Sequence, residues 1–225
     1  MSSARDEIFA NIRRALGVKG REAPRLAEVE NRSAQAPQGV VPARGHLPPT
    51  ERKALFRAQA ERIKATVAEV AAASDVPTEI ARYLRENNWP ATLRMGADPF
   101  LAAMPWKETV LDVTQGRSYG QDLNGISHAL GGVAETGTLA MMSGPDNPTT
   151  LNFLPDHHIV VLRSADIVGD YESIWPMVRA RYGKGQMPRA LNFITGPSRT
   201  ADIAQTLLLG VHGPRTLHIV LVGEA

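Results

Sequence analysis

Hydrophobic and polar positions change period several times along the chain. Ile8, Ile12 and Leu16 recur at four-residue spacing, behind Ser3 and Asp6 in capping-box positions and ahead of Gly17. Side chains four apart share one helix face, so this pattern predicts a short amphipathic helix with a glycine stop. Its apolar stripe has to be covered by the main body or by another chain. Residues 18–49 show no period and carry Pro24, Pro37, Pro42, Pro48 and Pro49 among Ala, Gly and Arg, which reads as a linker. Thr50 can cap a long helix from Glu51 to about Ala73, with Leu55, Gln59, Ile63, Val67 and Val70 on one face. Pro77 breaks it, and Thr78 opens a second helix through Ile80, Tyr83 and Leu84 that Asn87 and Asn88 end.

Beyond Asn88, short apolar runs alternate with helical patterns. Strands are expected at 91–95, 109–113, 133–134, 138–142, 159–162, 191–195 and 217–222. Helices are expected to open at Asp98-Pro99 and to span 170–182 and 203–209. Apolar strands alternating with helices predict an α/β fold, an open and mostly parallel sheet with helices on both faces. An N-terminal helical arm, residues 1–49, would precede a main domain at 50–225.

Composition narrows the functional classes. A chain of 225 residues, 43% hydrophobic and 21% charged, belongs with soluble globular proteins that bury one substantial core. No run approaches the roughly 20 apolar residues of a membrane span. The first 16 residues carry Arg5, Asp6, Glu7, Arg13 and Arg14 in place of a signal-peptide apolar core, so a cytoplasmic location is expected. Residues 1–65 hold 13 Lys or Arg against 7 Asp or Glu, whereas the remainder holds 12 against 16. The positive charge is therefore local to the first third. No aromatic residue interleaves with the bases of Lys19–Arg44, so no stacking platform is offered and nucleic acid is not the expected partner. A solvated arm that docks a partner, or joins copies of the chain, fits better.

Cysteine is absent. Without thiolates these residues cannot hold an ordinary iron–sulfur cluster, form a disulfide or supply a thiol nucleophile. No cofactor and no metal site are expected. His157 and His158 are adjacent in a strand and point to opposite faces, and metal-binding His-Glu-x-x-His spacing is missing.

Three segments could carry chemistry. In Gly131–Thr138, two strand-like pieces flank Glu135, Thr136, Gly137 and Thr138. A carboxylate there can act as base, as covalent nucleophile or as a hydrogen-bond anchor; alternatively Glu135 and the threonines only satisfy backbone amides. In Leu191–Ile203 a strand runs into a Gly-Pro turn and small hydroxyl residues. Helix-start amides with Ser198, Arg199 and Thr200 could cradle an anion, or those hydroxyls could merely cap. In Gly210–Pro214, His212 between glycines is free to serve acid–base chemistry or to sit in a structural turn. His218, inside an apolar strand, reads as a hydrogen-bonded core histidine.

Taken in order, Ala134–Thr138, Leu154-Pro155 with His158-Ile159, Thr195–Ile203 and Gly210–Pro214 resemble the signature of LUD domains over about residues 60–223. The opening helix and Pro-rich segment are similar to the lactate utilization protein C family. The resemblance implies a fold like those of ribose-5-phosphate isomerase, glucosamine-6-phosphate deaminase and CoA transferases. It also implies a non-redox part in oxidising L-lactate to pyruvate beside iron–sulfur subunits. Glu135 and His212 would then be the catalytic candidates, and Thr136, Gly137, Thr138, Ser198, Arg199 and Thr200 would bind a small anion in one cleft at the strand-end loops. Two other readings stay open: a stand-alone transferase or isomerase using Glu135, and a docking or regulatory scaffold.

Overall fold

The computed structural model describes residues 3–200 and 208–223. The chain divides into two compact units, Met1–Gly39 and Val40–Ala225. In the first, α1 (Ala4–Leu16) carries the expected capping box between Ser3 and Asp6 and ends on Gly17 in the left-handed conformation. The segment read as a linker contains a second helix, α2 (Ala23–Gln35). Pro24 stands in its first turn, where a missing N–H has no intrahelical partner to lose, and Pro37 lies beyond its end. The prolines bound this helix rather than prevent it.

The second unit opens with a 3-10 turn, Ala43–His46, and α3, Pro49–Arg62. The long helix expected to reach Ala73 stops about three turns earlier, at Arg62. Lys64 adopts a left-handed φ of 73°, and Thr66–Val70 is strand β1. Its β-branched residues pair in parallel with the last strand, so tertiary pairing overrides the helical spacing. Pro77, expected as a breaker, sits in the first turn of α4 (Val76–Glu86). The chain continues through β2 (Thr92–Met95), α5 (Pro99–Ala102), capped by Asp98, and β3 (Asp112–Gln115). Strand β4 (Asn124–His128) has no counterpart among the expected strands, because Ile126 is its only large apolar residue.

After β4 come β5 (Gly131–Val133), β6 (Thr138–Met142), the short helix α6 (Thr149–Phe153), β7 (His157–Arg163) and β8 (Ile167–Val168). Helix α7 (Ile174–Tyr182), β9 (Leu191–Ile194), β10 (Arg199–Thr200), β11 (Leu208–Leu209) and β12 (Thr216–Val222) complete the described chain. Of the helix expected at 203–209, residues 203–207 lie outside the described residues. Leu208-Leu209 is a strand that pairs antiparallel with Arg199-Thr200.

Six strands form an all-parallel sheet in the order β1-β12-β7-β4-β2-β3. The path leaves β2 for the edge strand β3, then returns to β4 on the other side of β2. Strand order therefore reverses between β2 and β4, the switch point where open α/β sheets bind ligands beyond their carboxyl ends. A second sheet, β8-β5-β6-β9, is mixed.

Alternation along β7 and β12 distributes the core. Ile159, Val161, Val220 and Val222 face α4 and α5 through Ile80, Leu84 and Leu101. Val160, Leu162, Ile219 and Leu221 face Leu139 and Met141 of the second sheet together with Phe56 of α3. The far side of the second sheet packs Val133, Ala140 and Met142 on Ile174 and Val178 of α7. Each such side chain, fully buried, is worth about 1.5–3 kcal/mol.

The hairpin between β5 and β6 is locked onto α3. Gly137 has φ 68°, and a Cβ there would stand 2.4 Å from the backbone nitrogen of Ala60. Gly183 has a similar φ of 86° but open space around it. Strain alone costs about 1–3 kcal/mol for a side chain in such a conformation. Gly137→Ala should lower the midpoint of urea unfolding well beyond the effect of Gly183→Ala; equal shifts would show that the Ala60 contact is unimportant.

Strands β7 and β12 carry three histidines. His218 is stacked on Tyr83 at 3.7 Å and shares a 2.8 Å hydrogen bond with Thr66 Oγ1, as a core histidine should. His157 is stacked on Trp89 and bonded to Thr216, whereas its neighbour His158 turns to the opposite face and meets Ser127 Oγ at 3.2 Å. Burial drives the His158 imidazole down to about 3, and burial also lowers His157 and His218. An unfolded imidazole titrates near 6.5, so the unfolded chain binds more protons as pH drops from about 6.5 towards 3. The contribution of His158 to stability is thus complete above that window and lost through it, at up to about 1.4 kcal/mol per pH unit. Urea unfolding between pH 7.5 and 5 should show a shallower decline for His158→Gln than for the parent; parallel declines would contradict a buried neutral imidazole.

Candidate functional site

The Glu135 segment occupies the β5–β6 turn. Its backbone N–H donates to Gly169 O at 3.1 Å, which ties the turn to the end of β8. The Glu135 side chain is buried, and Arg44 Nε of the 3-10 turn donates to its carboxylate at 3.3 Å. Thr136 and Thr138 join a hydroxyl cluster with Tyr171 and Thr195, at separations of 2.7–3.0 Å. This network ties together the β5–β6 turn and the segments after β8 and β9 at one end of the second sheet, and Gly137 presses that end on α3.

Ser198, Arg199 and His212 come together elsewhere. Ser198, just before β10, joins the segment that follows β11: its N–H donates to Pro214 O at 2.9 Å, its carbonyl accepts from Gly210, and its Oγ accepts from the His212 amide at 3.3 Å. The Thr195–Thr200 and Gly210–Pro214 segments therefore form one wall. They border a cavity of about 270 Å³ whose floor is Asn152 and His158. Thr200 sits next along β10, paired with Leu208. Arg199 and His212 are exposed at the rim. Arg199 stands in a strand, so the amides expected from a helix start at this point are replaced by side-chain donors.

Donors dominate this cavity. Arg199 has no carboxylate partner among the described residues. Ser127 Oγ lies 3.0 Å from Asn152 Oδ1, and Asn152 Nδ2 is buried with no partner. An amide donor left unpaired in the interior costs about 1–3 kcal/mol, which an acceptor in the cavity would recover. His158 stays neutral there. A guanidinium, an amide N–H and a hydroxyl around a half-enclosed space suit a small carboxylate or similar anion.

Two features differ from the sequence-based expectation. The cavity lies at the amino ends of β7 and β12, beside His158 and Leu217, not beyond the carboxyl ends. Glu135, Thr136, Gly137 and Thr138 do not line it. The hydroxyl cluster reaches its neighbourhood through Thr195, the residue before Gly196, and through Tyr171, whose ring packs edge-on against Phe193. His158 stands in the Leu154-Pro155 and His158-Ile159 motif of the sequence, and Asn152 lies just ahead of it. Their joint role depends on Ser127 in β4, the strand that the hydrophobic pattern conceals.

The carboxyl ends of β2, β4 and β7 border a second, smaller cavity around Asp98 and His128. No sequence motif marks it. Among the described residues, no group of three or more His, Asp or Glu could hold a metal ion, and no helix is long and apolar enough to cross a membrane.

These features were compared with known proteins. The LUD domain profile matches residues 53–222. Lactate utilization protein C of Geobacillus sp. strain WCH70 is 34% identical over 120 residues, covering 51% of this chain and 50% of that protein. Its namesake in Bacillus subtilis strain 168 is 33% identical over 93 residues, covering 41% and 39%. The aligned part thus spans about half the length, or less, of these curated relatives. A crystal structure of a DUF162 family protein from Deinococcus radiodurans superposes with a TM-score of 0.59 at 26% identity, covering 79% of this chain and 99% of that one. With a domain profile running from α3 to the last strand, and a solved relative sharing the α/β architecture, this chain belongs to the LUD domain family.

Proposed function

We propose that the protein is a non-redox component of a lactate utilization system, one that oxidises L-lactate to pyruvate through separate iron–sulfur subunits. The similarity to proteins named lactate utilization protein C supports the pathway. The absence of cysteine from all 225 residues supports the division of labour, since thiolates are the ordinary cluster ligands. The observation that carries the site is the donor-lined cavity at the amino ends of β7 and β12. Arg199 engages a carboxylate, Asn152 and Ser198 supply further donors, and His212 closes the rim. Glu135, buried against Arg44, serves to position the β5–β6 turn. The exposed Ile8, Ile12 and Leu16 of α1 give the amino-terminal unit an apolar stripe suited to a partner subunit or a second copy.

Deleting the gene in its native host should abolish or sharply slow growth on L-lactate, with growth on pyruvate unchanged. Normal growth on L-lactate, with no second copy of the gene, would refute the assignment. Calorimetric titration of the purified chain with L-lactate addresses the site itself. Charge-assisted hydrogen bonds are worth about 1.5–3 kcal/mol, so Arg199→Gln should weaken binding by roughly tenfold to a hundredfold. Undiminished affinity in that variant would remove Arg199 from the site.

A further inference from the structure

The cavity beyond the carboxyl ends of the parallel sheet has the opposite chemistry from the Arg199 cavity. His128 is the last residue of β4, and Asp98 follows β2, so the pair straddles the point where strand order reverses. His128 Nδ1 lies 3.3 Å from Asp98 Oδ2, while Asp98 Oδ1 accepts from the Leu101 N–H at 2.9 Å. Burial raises the Asp98 carboxyl, but the hydrogen bonds from His128 and Leu101 outweigh it and hold the group below its usual range. An ionised carboxylate only accepts hydrogen bonds, so Nδ1 carries a proton towards Asp98, and in the neutral ring Nε2 is an acceptor. That Nε2 is buried and unpartnered.

A second orphan lines the same space. Asn147 donates its Nδ2 to Met142 O at 3.0 Å, which leaves Oδ1 buried with nothing to accept. The loop carrying it is pinned to the end of β2. Ala97 N–H donates to Pro145 O at 3.0 Å, and a Cβ on Gly96 would come within 2.0 Å of Asp146 O, so only glycine permits this approach.

Both guanidiniums that line the cavity are already paired. Arg163 pairs with Asp166 at 2.7 Å, and Arg181 pairs with Asp146. No guanidinium is left over for an anion, and the two unmet groups are neutral acceptors. Their complement is a pair of neutral donors. The space is about 100 Å³. An apolar cavity of about 150 Å³ holds benzene, so this one suits a ligand of roughly three to five heavy atoms.

We propose that this cavity binds a small, uncharged, hydroxylated ligand, with hydroxyl groups donating to His128 Nε2 and Asn147 Oδ1. The site is independent of the Arg199 cavity and of the lactate reading. The two lie at opposite ends of β7, roughly 20 Å apart at the usual rise per residue.

The test is a titration of the full-length chain, labelled with ¹⁵N-histidine, with 1,2-propanediol and, separately, with acetone. Acetone is of similar size but has no donor. The diol should move the His128 Nε2 resonance saturably, and acetone should leave it unmoved. A neutral hydrogen bond contributes modestly, so Asp98→Asn, which releases the ring tautomer, and Asn147→Leu should each weaken diol binding about threefold to tenfold. Near-UV circular dichroism identifies which variant keeps native packing, and either suffices. No saturable shift with the diol at up to molar concentration, an equal shift with acetone, or unchanged diol affinity in a natively packed variant would overturn the proposal.

Discussion

A polar strand at the centre of a parallel sheet has to find partners for most of its buried hydrogen-bonding groups, and β4 imposes that requirement here. Its neighbours on both sides are hydrogen-bonded strands, and four of its five residues are buried. Asn124 donates to the carbonyls of Pro90 and Thr92, Ser127 meets Asn152 and His158, and His128 is held by Asp98. Each solution recruits a loop or a strand end that an apolar strand would have left free. Satisfying β4 therefore organises polar side chains at both ends of the sheet.

The two ends have opposite character. Next to Ser127, the arrangement around Asn152 leaves a donor over, and Arg199 and Ser198 add more across the Thr195–Pro214 wall. Next to His128, the Asp98 carboxylate fixes the ring so that an acceptor is left over, and Asn147 adds another. Charge follows the same division, with a guanidinium that has no carboxylate partner among the described residues at one end and two neutralised pairs at the other. One domain can in this way offer an anion and a neutral hydroxyl compound separate, electrostatically distinct places.

Much of the fold was legible in the amino-acid pattern. The buried strands β6, β7 and β12 read as apolar runs because both faces of each are covered. Helix α1 read correctly because its cap, stripe and glycine stop agree. Strand β1 was hidden because Val67 and Val70 continue the four-residue spacing of α3, and only its pairing with β12 reveals a strand. Strand β4 was hidden because its stability comes from side-chain hydrogen bonds, which leave no hydrophobic period. The candidate residues divide the same way. Ser198, Arg199 and His212 were found through turn chemistry and do converge, while Glu135 and the threonines, equally conspicuous, sit in a hydrogen-bonded network at one end of the second sheet. His128 and Asn147 lie in no local pattern, and Asp98 was legible only as the opening of a helix, since their roles depend on a partner 30 residues away or on an unpaired buried atom.

A crystal structure of the full chain grown with L-lactate at saturating concentration examines the central assignment most directly. The account predicts electron density for one lactate in the cavity at the amino ends of β7 and β12, its carboxylate within hydrogen-bonding distance of Arg199 and Asn152 Nδ2. A lactate bound away from both residues, or that cavity left without ligand at full saturation, would contradict it.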